Sequence, residues 1–148
     1  MNVGDTVEDF ELPDDEGVPR RLSEFLVKGP VVLFFYPAAL SKGCTVEACR
    51  FRDLSAEFDA VGAQPVGISA DDVHRQKTFA DRHDFGFPLL SDPERVVAAK
   101  FGVKRRIGPV KRHTFVIDTD SRVIEVVRSE LNMDTHADRA LEALRATV

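Results

Sequence analysis

The rhythm of hydrophobic and polar positions changes several times along the chain. Near the start, "DFEL" (9–12) and "VPRRL" (18–22) flank the turn "PDDEG", which predicts a small β-hairpin. "VVLFFY" (31–36) is continuously apolar and begins with β-branched residues, as suits a strand covered on both faces. From about Ser41 to Ala60 the period becomes helical. Phe51, Leu54, Phe58 and Val61 recur at spacings of three and four, and Gly62 ends the run. "PVGIS" (65–69) reads as a second buried strand. The helix at 71–83 is acidic at its start and basic near its end, as the helix dipole favours. A short helix is expected at 93–101, opened by Pro93 and closed by Gly102. "HTFVID" (113–118) and "VIEVV" (123–127) enclose the turn "TDSR" and predict a second hairpin. The segment 134–146 reads as a capped amphipathic helix with Ala137, Ala140, Leu141 and Leu144 on one face.

The order is therefore hairpin, β, α, β, α, α, β, β, α. Alternating strands and helices imply parallel pairing, and the closing hairpin adds an antiparallel part. A β-α-β half followed by a β-β-α half is the thioredoxin-like arrangement. The expected fold is α/β, with a mixed central sheet flanked by helices and an N-terminal β-hairpin. With no repeat, linker or low-complexity tract in 148 residues, one domain spanning 1–148 is expected.

Composition narrows the class of function. Hydrophobic residues make up 43% and charged residues 30%, enough for a packed core with a solvated surface. A net charge of −5 argues against a general nucleic-acid or anionic-membrane binder. The basic run "VKRRIGPVKR" (103–112) reads either as a solvated loop or as a positive rim beside a site. The acidic N-terminus lacks a secretory pattern, and the longest apolar run, ten residues interrupted by Pro37, is too short to span a bilayer. A cytoplasmic location is the expectation. Thiols are normally kept reduced there, so a close cysteine pair points to redox, catalytic or metal chemistry rather than a structural staple.

The only two cysteines, Cys44 and Cys49, lie five residues apart just after the first buried strand. Active sites of such sheets form past the carboxyl end of a strand, where a helix begins. Cys44 falls there, and a helix N-terminus favours a thiolate through its free N–H groups and dipole. Gly43 leaves room for close approach. Ser41 is placed either to cap the helix or to turn its hydroxyl toward the sulfur. In an ideal helix, residues five apart sit about 140° around the axis with Cα atoms about 8.7 Å apart. A disulfide needs roughly 7 Å or less, so the two thiols can bond only if the first turns unwind. The weaker reading of Cys49 alone is a small core residue on the buried face of the helix. His74, His83, His113 and His136 are scattered without metal-ligand spacing. A cysteine–histidine hydrolase using His113 is a weaker reading, and neither a P-loop nor G-x-G-x-x-G is present.

"VVLFFYPAALSKGCTVEACRFRD" resembles the active-site segment of the peroxiredoxins, specifically the bacterioferritin comigratory protein (peroxiredoxin Q) subfamily. The family pattern P-x-x-x-[TS]-x-x-C is met by Pro37, Ser41 and Cys44, and Cys49 matches the subfamily's second cysteine. "VGDTVEDFELPDDEG", "FPLLSDPE" (87–94) and "RHTFVID" (112–118) are similar to the family's N-terminal hairpin, middle loop and arginine-bearing strand. The resemblance implies a thiol peroxidase for hydrogen peroxide and organic hydroperoxides. In it Cys44 is peroxidatic and Cys49 resolving, Ser41 and Arg112 position the peroxide, and Pro37 shields the thiolate. Glu47 would orient an arginine. An intramolecular Cys44–Cys49 disulfide would be recycled by thioredoxin or a similar dithiol, with no metal or organic cofactor, in a monomer or weak dimer. Ser41 and Lys42 replace the commoner Thr-Pro, which implies a modest change in rate or sensitivity. The short segment 103–111 leaves Arg105 and Arg106 as rivals to Arg112. A thiol–disulfide oxidoreductase on the same fold is the alternative activity, although its usual C-x-x-C is absent. A thioredoxin-like binding module would leave the Pro37, Ser41, Cys44 and Arg112 set unexplained.

Overall fold

A computed structural model describes residues 1–147. Strands β1 (Glu11–Pro13) and β2 (Pro19–Arg21) form the N-terminal hairpin, and α1 (Leu22–Lys28) follows it. Next come β3 (Val31–Phe35), α2 (Lys42–Asp53), α3 (Ser55–Ala60), β4 (Gln64–Ser69) and α4 (Val73–His83). The chain continues through β5 (Leu89–Ser91), α5 (Val96–Lys100), β6 (His113–Ile117), β7 (Val123–Arg128) and α6 (Asp134–Arg145). The main sheet has the order β5-β4-β3-β6-β7. β3, β4 and β5 run parallel, while β6 is antiparallel to β3 and to β7. This is the thioredoxin-like architecture the element order implies.

β3 is the central strand, and its apolarity reflects burial on both faces. Val31, Leu33 and Phe35 pack on one side with Phe101, Phe115 and residues of α1 and α5. Val32, Phe34 and Tyr36 pack on the other with α2, α3, α4 and α6. Phe51 fixes α2 to the sheet by stacking on Phe34, with centroids 4.2 Å apart, and it meets Phe58 at 5.8 Å.

Several sequence expectations need correction. The helix expected across 41–60 is two helices. Leu54 leaves the helical well at ψ 15°, yet apolar spacing continues across the break because Phe51 and Phe58 both enter the same core. The helix expected from Pro93 starts at Val96, because Arg95 takes a left-handed φ of 60°. Its cap is Asp92, whose carboxylate accepts from the N–H groups of Val96 and Ala98 at 3.1 and 2.9 Å. α6 has Met133 at its N-cap position, with no side-chain cap; Asn132 Oδ1 accepts from Thr135 N at 3.3 Å. The apolar face of α6 also includes His136. α1 and β5 have no counterpart in the sequence reading. Each is short, and β5 is the "LLS" of a stretch taken for loop. The basic run is a loop with Lys104, Arg105 and Arg106 exposed, closed at its base by Lys111 N donating to Val103 O at 2.9 Å.

Phe51→Ala removes the ring that joins α2 to β3 and α3. It is expected to lower the unfolding free energy by about 3–5 kcal/mol, read from the urea midpoint at unchanged slope. A loss below about 1 kcal/mol would mean that α2 is held elsewhere.

Candidate active site

The loop from Tyr36 to Ser41 carries the chain from β3 into α2 and is tied to the neighbouring strand's exit. Ala39 N donates to Asp71 Oδ2 at 2.7 Å, and Arg75 Nη2 donates to Ala39 O at 3.2 Å. Leu40 takes a left-handed φ of 68°. Ser41 then stands at the N-cap. Its hydroxyl donates to Ala38 O at 2.7 Å, so it does not cap the helix in this conformation. Its carbonyl accepts from both Thr45 N (2.9 Å) and Thr45 Oγ1 (2.7 Å). Pro37 lies half-buried in this loop.

Cys44 is the third residue of α2 and is only 1% exposed. The antiparallel pairing of β6 with β3 aligns Thr114 with Phe34, so the start of β6 arrives beside the end of β3. Arg112, immediately before β6, therefore reaches Cys44. Its Nη1 and Nη2 each lie 3.5 Å from Cys44 Sγ, and Nη1 also donates to Glu47 Oε1 at 2.9 Å. A Cβ on Gly43 would stand 3.3 Å from Arg112 Nη2 and 3.1 Å from Met133 Cε, so glycine clears the guanidinium's approach. Arg105 instead pairs at the surface with Glu130, at 2.6 Å. The same carboxylate accepts from Arg112 N at 2.7 Å. The nitrogens beside Cys44 are those of Arg112 rather than an imidazole; His113 lies half-buried near Phe115, centroids 6.2 Å apart.

Glu47 is fully buried one turn beyond Cys44, against His136 of α6. His136 Nε2 faces the carbonyl of Ser129 at 2.7 Å, an acceptor only, so Nε2 carries the hydrogen. Nδ1 then accepts from Thr114 Oγ1 at 2.8 Å. Burial holds His136 well below its ordinary value, at about 4, so it is neutral and its 3.5 Å contact with Glu47 Oε2 is not an ion pair. Burial pushes Glu47 up to about 8, although Arg112 pulls the other way. Glu47 Oε2 has no hydrogen-bond partner. With Glu47 neutral, the positive charge of Arg112 is left for the sulfur. Sequence reasoning missed His136. The available signal was its place at i−4 and i−8 from Ala140 and Leu144, on the buried face of α6.

Cys49 is half-buried on the same intact helix, and both cysteines are free. Its Sγ lies 3.9 Å from His83 Nδ1. Among the described residues, no three His, Cys, Asp or Glu side chains gather where they could hold a metal ion. A cleft of about 790 Å³ between the hairpin, α4 and α5 is lined by neither cysteine, nor by Glu47, Arg112 or His136.

Comparison with known proteins gives a consistent family. The AhpC/TSA family model matches residues 3–126. A putative peroxiredoxin of Mycobacterium tuberculosis is 61% identical over 150 residues, covering 99% of this chain and 97% of the relative. The chloroplastic peroxiredoxin Q of Sedum lineare is 39% identical over 148 residues, covering 99% and 79%. The crystal structure of peroxidoxin BcpB from Mycobacterium tuberculosis superposes with a TM-score of 0.98 at 60% identity, covering 100% and 99%.

The buried pair gives stability a pH signature. Glu47 binds its proton more tightly folded than unfolded, so its contribution is full below its ordinary value of 4.5 and is lost as pH rises toward about 8. His136 resists protonation in the fold, so its contribution is full above 6.5 and is lost as pH falls toward about 4. Between about pH 6.5 and 8 only the Glu47 effect operates. The unfolding free energy of wild type relative to Glu47→Gln is expected to fall across that window in urea titrations. A constant difference would show Glu47 already ionised at its lower end.

Proposed function

The chain belongs to the AhpC/TSA family, and on that premise we propose how its residues carry out peroxide reduction. It is a peroxiredoxin, a thiol-dependent peroxidase. The observation that carries the assignment of roles is the pair of Arg112 nitrogens, each 3.5 Å from a buried cysteine sulfur in the first turn of a helix. Cys44 is the peroxidatic residue. Its thiolate attacks one peroxide oxygen in line with the O–O bond; that bond breaks, and the departing oxygen leaves with a proton as water or an alcohol. Charge builds on the leaving oxygen, which Arg112, beside the sulfur, and free N–H groups of the helix N-terminus stabilise. The Ser41 hydroxyl, donating to Ala38 O, keeps its lone pairs free to accept a hydrogen bond from the peroxide O–H. Pro37 shields the pocket from bulk water. Glu47, held neutral, orients Arg112 without competing for its charge.

Cys44 is left as a sulfenic acid, and Cys49 resolves it. In an intact helix the two Cα atoms stand about 8.7 Å apart, beyond disulfide reach, so the first turns of α2 unwind before the bond forms. An external dithiol, thioredoxin or one like it, then restores both thiols by exchange. Hydrogen peroxide and organic hydroperoxides are the substrates, and the working unit is a monomer or weak dimer. A reducing cytoplasm suits a cycle that must return both thiols to the free state.

One equivalent of hydrogen peroxide added to reduced protein is expected to consume both thiols and remove two hydrogens by intact mass; no reaction within minutes would sink the reading. Cys44→Ser is expected to abolish turnover. Cys49→Ser should consume one equivalent and stop as a sulfenic acid, and normal cycling by that variant would remove the resolving role. Arg112→Ala is expected to slow the first step about 10²–10³-fold in stopped flow, the scale of losing one donor to developing negative charge. An unchanged rate would move that role elsewhere.

A further inference from the structure

Cys49 faces away from the Arg112 pocket and toward α4. Its Sγ lies 3.9 Å from Nδ1 of His83, the last residue of α4, within reach of a sulfur–nitrogen hydrogen bond. The imidazole is held in place, stacked on Phe85 at 5.4 Å and 20° and meeting Phe79 edge-on at 5.7 Å and 84°. Arg52 Nη1 donates to His83 O at 2.8 Å, which joins the last turn of α2 to the end of α4. The charges around this contact are few. Arg52 pairs with Asp53 at 3.1 Å, and Arg82 and Asp84 flank His83 with exposed side chains.

A resolving thiol reacts only as its thiolate, and an unassisted thiol is mostly protonated at neutral pH. Cys44 has Arg112 and the helix N-terminus; Cys49, the eighth residue of α2, has neither. What Cys49 has is an imidazole nitrogen. We propose that His83 is the general base for the resolving step, an inference that rests on the reading of Cys49 as the resolving thiol. His83 Nδ1 takes the Cys49 S–H proton, and the thiolate attacks the sulfur of the Cys44 sulfenic acid. The S–S bond forms as the S–O bond breaks. The departing hydroxide takes the proton back from His83 and leaves as water, so the imidazole ends neutral. The oxidising equivalent is the one already delivered by peroxide.

The anchoring of α2 keeps base and thiol together while this happens. Its second half is held by the Arg52–His83 bond, the Phe51 stack and the Arg50–Asp138 pair at 2.9 Å. Its first turn is closed by Thr45 on Ser41 O and includes Gly43. The half bearing Cys44 therefore unwinds toward Cys49, which stays beside His83.

The test is a rapid-mixing time course after one equivalent of hydrogen peroxide. Sulfenic acid is trapped with dimedone and the disulfide is followed by intact mass, in wild type, His83→Gln, His83→Asn and Cys49→Ser. In the two His83 variants peroxide consumption should keep its rate, while disulfide formation slows about 10²-fold. That slowed rate should rise about tenfold per pH unit below the thiol range near 8.5, against a shallower wild-type profile, and added imidazole should partly restore it. Disulfide formation at the wild-type rate overturns the proposal. So does slowing with an unchanged pH profile and no imidazole rescue, which marks a packing role. If Cys49→Ser cycles with dithiol as fast as wild type, the resolving assignment itself has failed, an outcome distinct from failure of the His83 variants alone.

Discussion

A guanidinium buried beside a sulfur is the constraint that organises this molecule. Taking a charge out of water is costly unless a partner meets it, and Arg112 has two acidic candidates within contact, Cys44 and Glu47. One cation cannot fully satisfy two buried anions. Burial of Glu47 works against its ionisation, and His136, bonded to Ser129 and Thr114, adds no second cation beside it. Burial favours the protonated carboxyl, which bonds the guanidinium and leaves more of its charge for the thiol.

The sheet topology makes this geometry attainable. A wholly parallel sheet would put the residue preceding β6 at the far end from Cys44. The antiparallel turn of β6 brings Arg112 to the end of β3 where the loop and α2 begin. The aromatic stack beneath α2 then fixes its distance from the sheet, and Gly43 lets the guanidinium lie against the helix backbone. Strand order, core packing and a missing side chain thus converge on one contact about 3.5 Å long.

Much of this was legible in the chain. β3, β4, β6 and β7 announce themselves by apolar runs, and Cys44 falls at the strand-to-helix junction where such sheets do chemistry. What escaped did so for physical reasons. β5 and α1 are too short to establish a period. The break at Leu54 is hidden because both helices present phenylalanines to one core. Asp92 caps α5 across a turn containing Pro93, so the proline signal pointed three residues early. Position and spacing pointed to Cys44 and Cys49, and the family pattern pointed to Ser41, Pro37, Glu47 and Arg112. The Ser41 hydroxyl turned out to bond Ala38 O, a rotamer that sequence cannot fix. His136 and His83 take their significance from helices packing against one another, which no local pattern encodes.

In the proposed cycle, the two hydrogen bonds that Thr45 donates to the Ser41 carbonyl would act as a timer. A sulfenic acid at Cys44 would have two fates under that proposal: capture by Cys49 once the first turn opens, or a second oxidation by peroxide to sulfinic acid, which is irreversible without dedicated repair. The first rate depends on how readily that one turn frays; the second depends on how much peroxide is present. The firmness of a single helical turn therefore sets the oxidant concentration at which the protein ceases to be a recyclable catalyst and becomes a consumed one.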